Sequence, residues 1–516
     1  MTEKTGIANS IFKASIMVFI LTLGSRILGF MREWIIAALY GTDKNADAFH
    51  LAFSIPEIID RFLITGALGS ILITYFIKLK DEQNKFILIE FYTTIKRVLV
   101  VFSMFLSILV AVFSKELLLI LSPNLNKNIL ELSIPLLRIM IFANVFLSLT
   151  LLIKSYLDSN KRFIVSSLAP IIQNLFFVIL VLLTKNKFNI NSLAIIYLIS
   201  VILQYLYLVK YSGVYREFSH KNLKLRFNKD AIDLFKMALP VVFTMFITEI
   251  NVFIDKIIAS NYSVGSVAAL SYANKLIHLP IGILGGSLLT VFMPYIASCI
   301  NIKKYDSAGQ YQAKLFRIII IVTTVMISSY WIFSLEIIKY VFGYGNFDEQ
   351  AINQTAYYLK GYSITILLYL LILALIRIYH IHLDVVTPMK IGAVTLIIKF
   401  VSAYILVGNF GVAGAIYSTV ISMLCGTSLL LFFISNKIYF KIGKNTISFI
   451  VQLSFANSIL IAIMLFIKNL FLVNSSIYSF ILLLIVLPII YLILLLLVKV
   501  EEMRDLINLL KRRFLK

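Results

Sequence analysis

Arg26, Arg32, Arg61 and Lys275 stand inside runs of apolar residues long enough to cross a bilayer. At such depth an ionisable side chain costs about 2.5–3.5 kcal/mol or more unless it faces water, a partner or a ligand. At about 1.5 Å per residue, the first run carries Arg26 near the middle of the membrane and Arg32 further along. The second run has Asp47 at its mouth and the pair Asp60 and Arg61 deep within, and the eighth has Lys275 at middle depth. Asn251 and Asp255 lie one turn apart on one face of the seventh. Four cations from three helices, with few acids to match, suit a cavity that receives an anion such as phosphate or pyrophosphate. The alternative is internal neutralisation: Glu33 lies seven residues after Arg26 and nearly in line with it, leaving Asp47 and Asp60 for the other cations. Six positions separate Arg26 from Arg32, about 120° around a straight helix. Both reach one cavity only if it is wide or if the helix bends, and Gly24 and Gly29 would permit bending.

Other constellations carry less. His380 and His382 are two residues apart, so on a helix they diverge and make a poor metal site. His50 and His278 each precede a mid-helix proline and read as packing or cavity-lining groups. Cys299 and Cys425 sit in apolar surroundings without a CxxC spacing, so neither a disulfide framework nor a metal site is implied. The chain has no nucleophile–base arrangement, and its loops are short. An enzyme is not expected, nor a cofactor.

The elements that hold these charges follow from composition. Of 516 residues, 60% are hydrophobic and only 14% charged, with a mean hydropathy of +0.95. This excludes a soluble globular domain, which is roughly a quarter charged. The apolar runs are continuous rather than alternating, which excludes a membrane β-barrel. The expectation is an all-α polytopic membrane protein with fourteen transmembrane helices. The 47 Lys and Arg outnumber the 25 Asp and Glu, for a net charge of +22. With the N-terminus inside, 32 of these basic residues fall on the cytoplasmic side and seven outside. The other eight are Arg26, Arg32, Arg61, Arg138, Lys256, Lys275, Lys360 and Lys399, within or at the edges of spans. That asymmetry places both termini in the cytoplasm. It also accounts for the charge without a nucleic-acid partner. The N-terminus reads as a retained first helix rather than a cleaved signal.

The chain repeats itself. EWIIAALY (33–40) and DKIIASNY (255–262) both end a helix before a short external loop, and the next helix in each case holds a proline (Pro56, Pro280) and a Gly-Ser pair. The interval of about 220 residues corresponds to six helices. The halves therefore share one orientation, as in two-lobed transporters whose site lies between parallel repeats. The expected organisation is a six-helix lobe over 1–211, a basic cytoplasmic linker over 212–236 and a second lobe over 237–435. Two further helices occupy 436–498, and a basic amphipathic tail, 499–516, suits the anionic inner leaflet.

At this point the motifs resemble a known family. The stretch SRILGFMREWIIAALYGTDKNADAFHLAFSIPEIIDRFLITGALGSILITYFI (25–77) is similar to the signature region of the MurJ (MviN) lipid II flippases, within the wider group of multidrug and oligosaccharidyl-lipid exporters. INVFIDKIIAS (250–260), YANKLIHLPIGILG (272–285), VFGYGNFDEQAINQTAYYL (341–359) and RIYHIHLDVVTPMKI (377–391) extend the resemblance in order. It implies two six-helix lobes around a cationic cavity, with helices 13 and 14 forming a lipid groove. The family's first-helix arginines match Arg26 and Arg32, its DAF acid matches Asp47, and its eighth-helix arginine is matched by Lys275. Its Arg-Arg pair becomes Asp60 and Arg61, and its acid before the Gly-Ala pair becomes Thr65. The function implied is transfer of lipid II from the inner to the outer leaflet of the bacterial cytoplasmic membrane. The alternatives are a flippase for another undecaprenyl-linked saccharide and a non-transporting scaffold that binds the lipid precursor. Expected partners are the lipid-linked substrate, membrane lipids and cell-wall synthesis enzymes. The chain has no ATPase motif, which leaves the membrane potential, an ion gradient or downstream consumption as the driving force.

Overall fold

The computed structural model describes residues 2–60, 67–81, 85–184, 189–214, 250–251, 253–434, 439, 444–471 and 477–503. Arg61, Thr65, most of the 212–236 linker and the tail beyond 503 lie outside the described residues. Every regular element among the described residues is helical. Among the described residues, nine helices are long and apolar enough to cross a membrane, or ten if one bent pair counts as a single span. The chain is a multi-pass helical membrane protein.

Two apolar runs expected as single spans are interrupted by a break between helices. The run 134–157 is divided between helices Lys127–Met140 and Ala143–Ser159. Neither a proline nor a glycine stands at this break. The carbonyl of Ile141 accepts a hydrogen bond from Ser107 Oγ at 3.1 Å, so another helix satisfies backbone that the break releases. The run 357–378 is likewise divided into Glu349–Tyr362 and Thr365–Ile381, bent by 41°. Here Ser363 Oγ donates to the Lys360 carbonyl (2.8 Å) and Thr365 Oγ1 to that of Tyr362 (2.5 Å).

The chain divides into two compact units. The first comprises Met1–Ser271 with Gly345–Phe347. It contains α1 (Thr2–Tyr40), α2 (Lys44–Asp60), α3 (Ala67–Asp81), α4 (Lys85–Val112), α5 (Ser114–Leu121) and α6 (Lys127–Met140). It continues through α7 (Ala143–Ser159), α8 (Phe163–Thr184), α9 (Ile190–Ser212), α10 (253–260) and the first residues of α11 (Ser266–Asn301). Helix α1 packs on α8, α2 on α6, and α3 on α7. A buried core joins Leu72 and Phe76 of α3, Phe91 and Tyr92 of α4, and Tyr156 of α7. Phe76 meets Phe91 and Tyr156 edge-on, at 5.6 and 5.5 Å between centroids. Such contacts contribute about 0.5–1.5 kcal/mol each beyond burial. The opposite face of α4 is apolar and exposed, with Val101 at 68% and Phe105 at 62%, as lipid contact requires.

The second unit comprises Tyr272–Tyr344 and Asp348–Lys516. It holds the rest of α11, then α12 (Tyr305–Ile332), α13 (Ser334–Phe342), α14 (Glu349–Tyr362) and α15 (Thr365–Ile381). After these come α16 (Val386–Phe410), α17 (Val412–Phe433), α18 (Lys444–Phe471) and α19 (Ile477–Leu497). Helices α16 and α17 pack closely. Lys399 of α16 is fully buried and donates to the Ala415 carbonyl (3.2 Å) and the Thr419 hydroxyl of α17. Arg317 of α12 pairs with Glu501 (3.3 Å) and Glu502 (2.9 Å), which ties the start of the C-terminal tail to the helix bundle.

Candidate functional site

Helix α1 runs unbroken through Gly24 and Gly29, and at both positions α8 lies at ordinary van der Waals distance from where a Cβ would stand. A Cβ at Gly29 would meet Asn174 Nδ2 at 3.5 Å, and that amide donates to the Ser25 carbonyl at 3.3 Å. Arg26 and Arg32 consequently lie in different surroundings: Arg26 is exposed and Arg32 is half-buried. The alternative pairing, Arg26 with Glu33, gives way to a nearer one. Arg32 Nη2 donates to Glu33 Oε1 at 3.0 Å, and the Glu33 side chain is only 3% exposed.

The Arg32 guanidinium lies near aromatic rings from two other helices, 5.1 Å from the Phe53 centroid on α2 and 5.9 Å from Phe177 on α8. Tyr197 of α9 meets Phe53 edge-on at 5.1 Å. Arginine suits this niche because its planar, weakly hydrated cation stacks on rings while its edge N–H groups stay directed outward. Its Nε–H has no hydrogen-bond partner among the described residues.

A second charged cluster adjoins α2. Lys256 of α10 donates to Ser54 Oγ at 2.8 Å and lies 3.8 Å from Glu57 Oε2, and Ser54 Oγ in turn donates to the His50 carbonyl at 2.5 Å. Glu57 also lies within electrostatic reach of Arg32, so α1, α2 and α10 share one alternating set of charges. Sequence reasoning had Lys256 as an in-span cation but missed Glu57. Its signal is position: it follows Pro56 and precedes Asp60 by three residues, which puts both acids on one face. Asp60 is half-buried, and its charge reaches Lys154 on α7, another cation missed because it stands near the end of its apolar run.

Asp47 is 1% exposed, and both its oxygens are occupied. Oδ2 accepts from the Gly265 N–H at 2.6 Å and Oδ1 from the Ala268 N–H at 2.8 Å, so this carboxylate of α2 caps the N-terminus of α11. The C-terminus of α1 receives a corresponding cap. Asn346 donates its backbone N–H to the Ala38 carbonyl (2.9 Å) and Nδ2 to that of Leu39 (2.6 Å). Backbones approach so closely here that side chains are excluded. A Cβ on Gly265 (φ +93°) would stand 2.4 Å from the Thr42 carbonyl oxygen, and one on Gly345 (φ +64°) would stand 2.2 Å from that of Ala38. Gly265→Ala is therefore expected to cost at least about 1–3 kcal/mol from strain alone. A thermal-unfolding scan in detergent checks this: an unchanged midpoint would mean that the turn tolerates a side chain.

The remaining residues are placed as follows. Asp255 is buried on α10 and Asn251 is half-buried just before it. Lys275 belongs to the second unit, half-buried on α11. His50 packs edge-on to Phe49 (5.7 Å), and His278 packs edge-on to Tyr369 (5.3 Å). Arg138 donates Nε to the Ala111 carbonyl (3.1 Å) and Ser114 Oγ (3.0 Å), tying α6 to the α4–α5 corner. Among the described residues no group of His, Cys, Asp and Glu could hold a metal ion.

Solved membrane-protein structures share this helical fold. The fold matches an inward-facing multidrug resistance transporter of the MATE family, in the MOP superfamily, with a TM-score of 0.67 at 13% identity. That match covers 81% of this chain and 94% of the other. A structure titled lipid II flippase MurJ, inward closed conformation, gives a TM-score of 0.78 at 22% identity, covering 95% of this chain and all of that one. At these identities both are likenesses of fold. Sequence carries the assignment further. The family model described as Lipid II flippase MurJ matches residues 36–486, and the chain belongs to that family. Similar relatives include the probable lipid II flippase MurJ of Buchnera aphidicola subsp. Acyrthosiphon pisum, 28% identical over 472 residues, covering 88% of this chain and 90% of that protein. The lipid II flippase MurJ of Burkholderia cenocepacia is 26% identical over 443 residues, covering 82% and 83%.

Proposed function

We propose that this protein carries lipid II, the undecaprenyl-pyrophosphate-linked peptidoglycan precursor, from the inner to the outer leaflet of the bacterial cytoplasmic membrane. The family match over residues 36–486 carries the reading. It is supported by relatives named for the same activity along most of their length. The full architecture is fourteen spans with both termini inside, following the distribution of basic residues. Arg26, Arg32, Arg61 and Lys275 supply the positive charge that meets the pyrophosphate, and the prenyl chain stays in lipid. Alternating access by movement of the two repeats then exposes the headgroup outside. The driving force comes from the membrane potential, an ion gradient or consumption of the product.

The test uses cells depleted of their own lipid II flippase and expressing this chain, with an impermeant probe reporting lipid II headgroups on the outer face. The chain should restore export. Lys275→Ala should lower it by about tenfold or more, the equivalent of the 1.5–3 kcal/mol of one charge-assisted contact. Good expression without export would instead favour another undecaprenyl-linked saccharide, the reading to which Asp60 and Thr65 already lean. Export unchanged in Lys275→Ala would remove that residue from the substrate's path.

A further inference from the structure

A cavity of about 460 Å³ in the second unit is bounded by α12, α14, the bend after α14, and α17. Its polar side is formed by Trp331, Tyr357, Lys360 and Tyr417, and its apolar side by Ile327, Ile364, Ile416 and Val420. None of the residues that line it carries a carboxylate. The Lys360 ammonium sits 4.0 Å from the centre of the Trp331 ring, and the Tyr357 and Tyr417 side chains lie near each other. Trp331 is 55% exposed, Tyr357 56% and Tyr417 38%, so the aromatic side of the cavity opens on the surface.

Position decides what such an opening meets. Trp331 is one residue from the end of α12, and the lining residue Ala413 is the second residue of α17. The cavity therefore lies at the level where one span ends and another begins, the depth at which tryptophan and tyrosine collect at a membrane interface. A lone lysine over an indole, beside two phenols and above an aliphatic wall, presents one positive charge and a greasy slot. One charge suits a phosphodiester better than a pyrophosphate, and the slot suits an acyl chain.

We propose that this cavity binds an anionic glycerophospholipid, its phosphodiester on Lys360 and the start of one acyl chain against Ile327, Ile364, Ile416 and Val420. In the proposed topology this is a lipid of the outer leaflet. The site is separate from the arginines assigned to the transported substrate, and its occupancy does not depend on transport.

The chain has two tryptophans, so Trp34→Phe leaves Trp331 as a fluorescent reporter inside the cavity. That variant is reconstituted in phosphatidylcholine vesicles containing increasing fractions of either dibrominated phosphatidylglycerol or dibrominated phosphatidylcholine. Brominated phosphatidylglycerol should quench Trp331 half-maximally at about a fivefold lower mole fraction, the preference expected from one interfacial lysine. Adding Lys360→Gln should make the two quenchers equivalent. Equal quenching with Lys360 in place overturns the proposal. Native mass spectrometry of the chain with both tryptophans provides a measurement independent of Trp34→Phe. Released from phosphatidylglycerol vesicles, it should retain more of that lipid than the Lys360→Gln variant, and equal retention would count against the site.

Discussion

Arg32→Ala should abolish lipid II export, and Arg32→Lys should recover less than about a tenth of it. The guanidinium lies 5.1 Å from the Phe53 ring centroid and 5.9 Å from that of Phe177, while Glu33 takes one of its amino groups. Lysine keeps the charge but presents a point donor without the planar fork that stacks on two rings and still addresses an oxyanion. Removing Arg32 also takes the nearest cation from Glu33, whose side chain is 3% exposed, and breaking a buried pair from one side costs about 3–5 kcal/mol. Loss of export alone would therefore not separate substrate contact from a damaged fold. The double variant Arg32→Ala/Glu33→Ala separates them, because it removes both members of the pair together. The expected result is a melting temperature recovered toward that of the unaltered chain, with export still absent. Were export to return along with stability, Arg32 would be a structural residue and the anion site would have to lie elsewhere.

Much of this protein is legible in its sequence because membranes impose harsh rules. A charge in an apolar run is expensive, so Arg32, Glu33, Asp47 and Lys256 announce themselves by position alone. Their partners are less legible. Arg26 lies nearly in line with Glu33 on a helical wheel, yet Glu33 takes its own neighbour, because Phe53 and Phe177 fix where the Arg32 guanidinium lies. The break after Met140 is hidden for a similar reason. It carries neither proline nor glycine, and the hydroxyl that satisfies the Ile141 carbonyl comes from Ser107, 34 residues earlier. The motif GYGNFDEQ carries the family resemblance without disclosing its task. Only in three dimensions does Asn346 become the cap of α1, about 300 residues away, with Gly345 as the residue that lets the backbones touch. Local pattern thus gives the elements and the expensive residues, while long-range pairing decides what each charge does.

Asp47→Asn should loosen the junction at which α1, α2, α11 and the 345–347 turn meet, and should impair export without unfolding the chain. Both carboxylate oxygens accept backbone N–H groups at the start of α11, from partners 218 and 221 positions away. An amide can offer only one acceptor and turns its NH2 toward the second N–H. The charge that faces the positive end of the helix is lost as well. A cap of this kind contributes about 0.5–2 kcal/mol, and the charge–dipole contact at a buried site adds up to about 2 kcal/mol. Under the proposed alternating access this junction would part for the headgroup to leave, and weakening it would then shift the population toward the parted state. A change of about 1.4 kcal/mol is tenfold in that equilibrium. Val267, adjacent to the cap and 1% exposed, can report the shift as Val267→Cys in a background with Cys299 and Cys425 replaced by serine. An impermeant maleimide added outside should label it about tenfold faster when Asp47→Asn is present. Equal labelling rates would show that the capped junction holds in both states of the cycle. Asp47 would then be a fixed structural support, and the moving contact would lie elsewhere in the molecule.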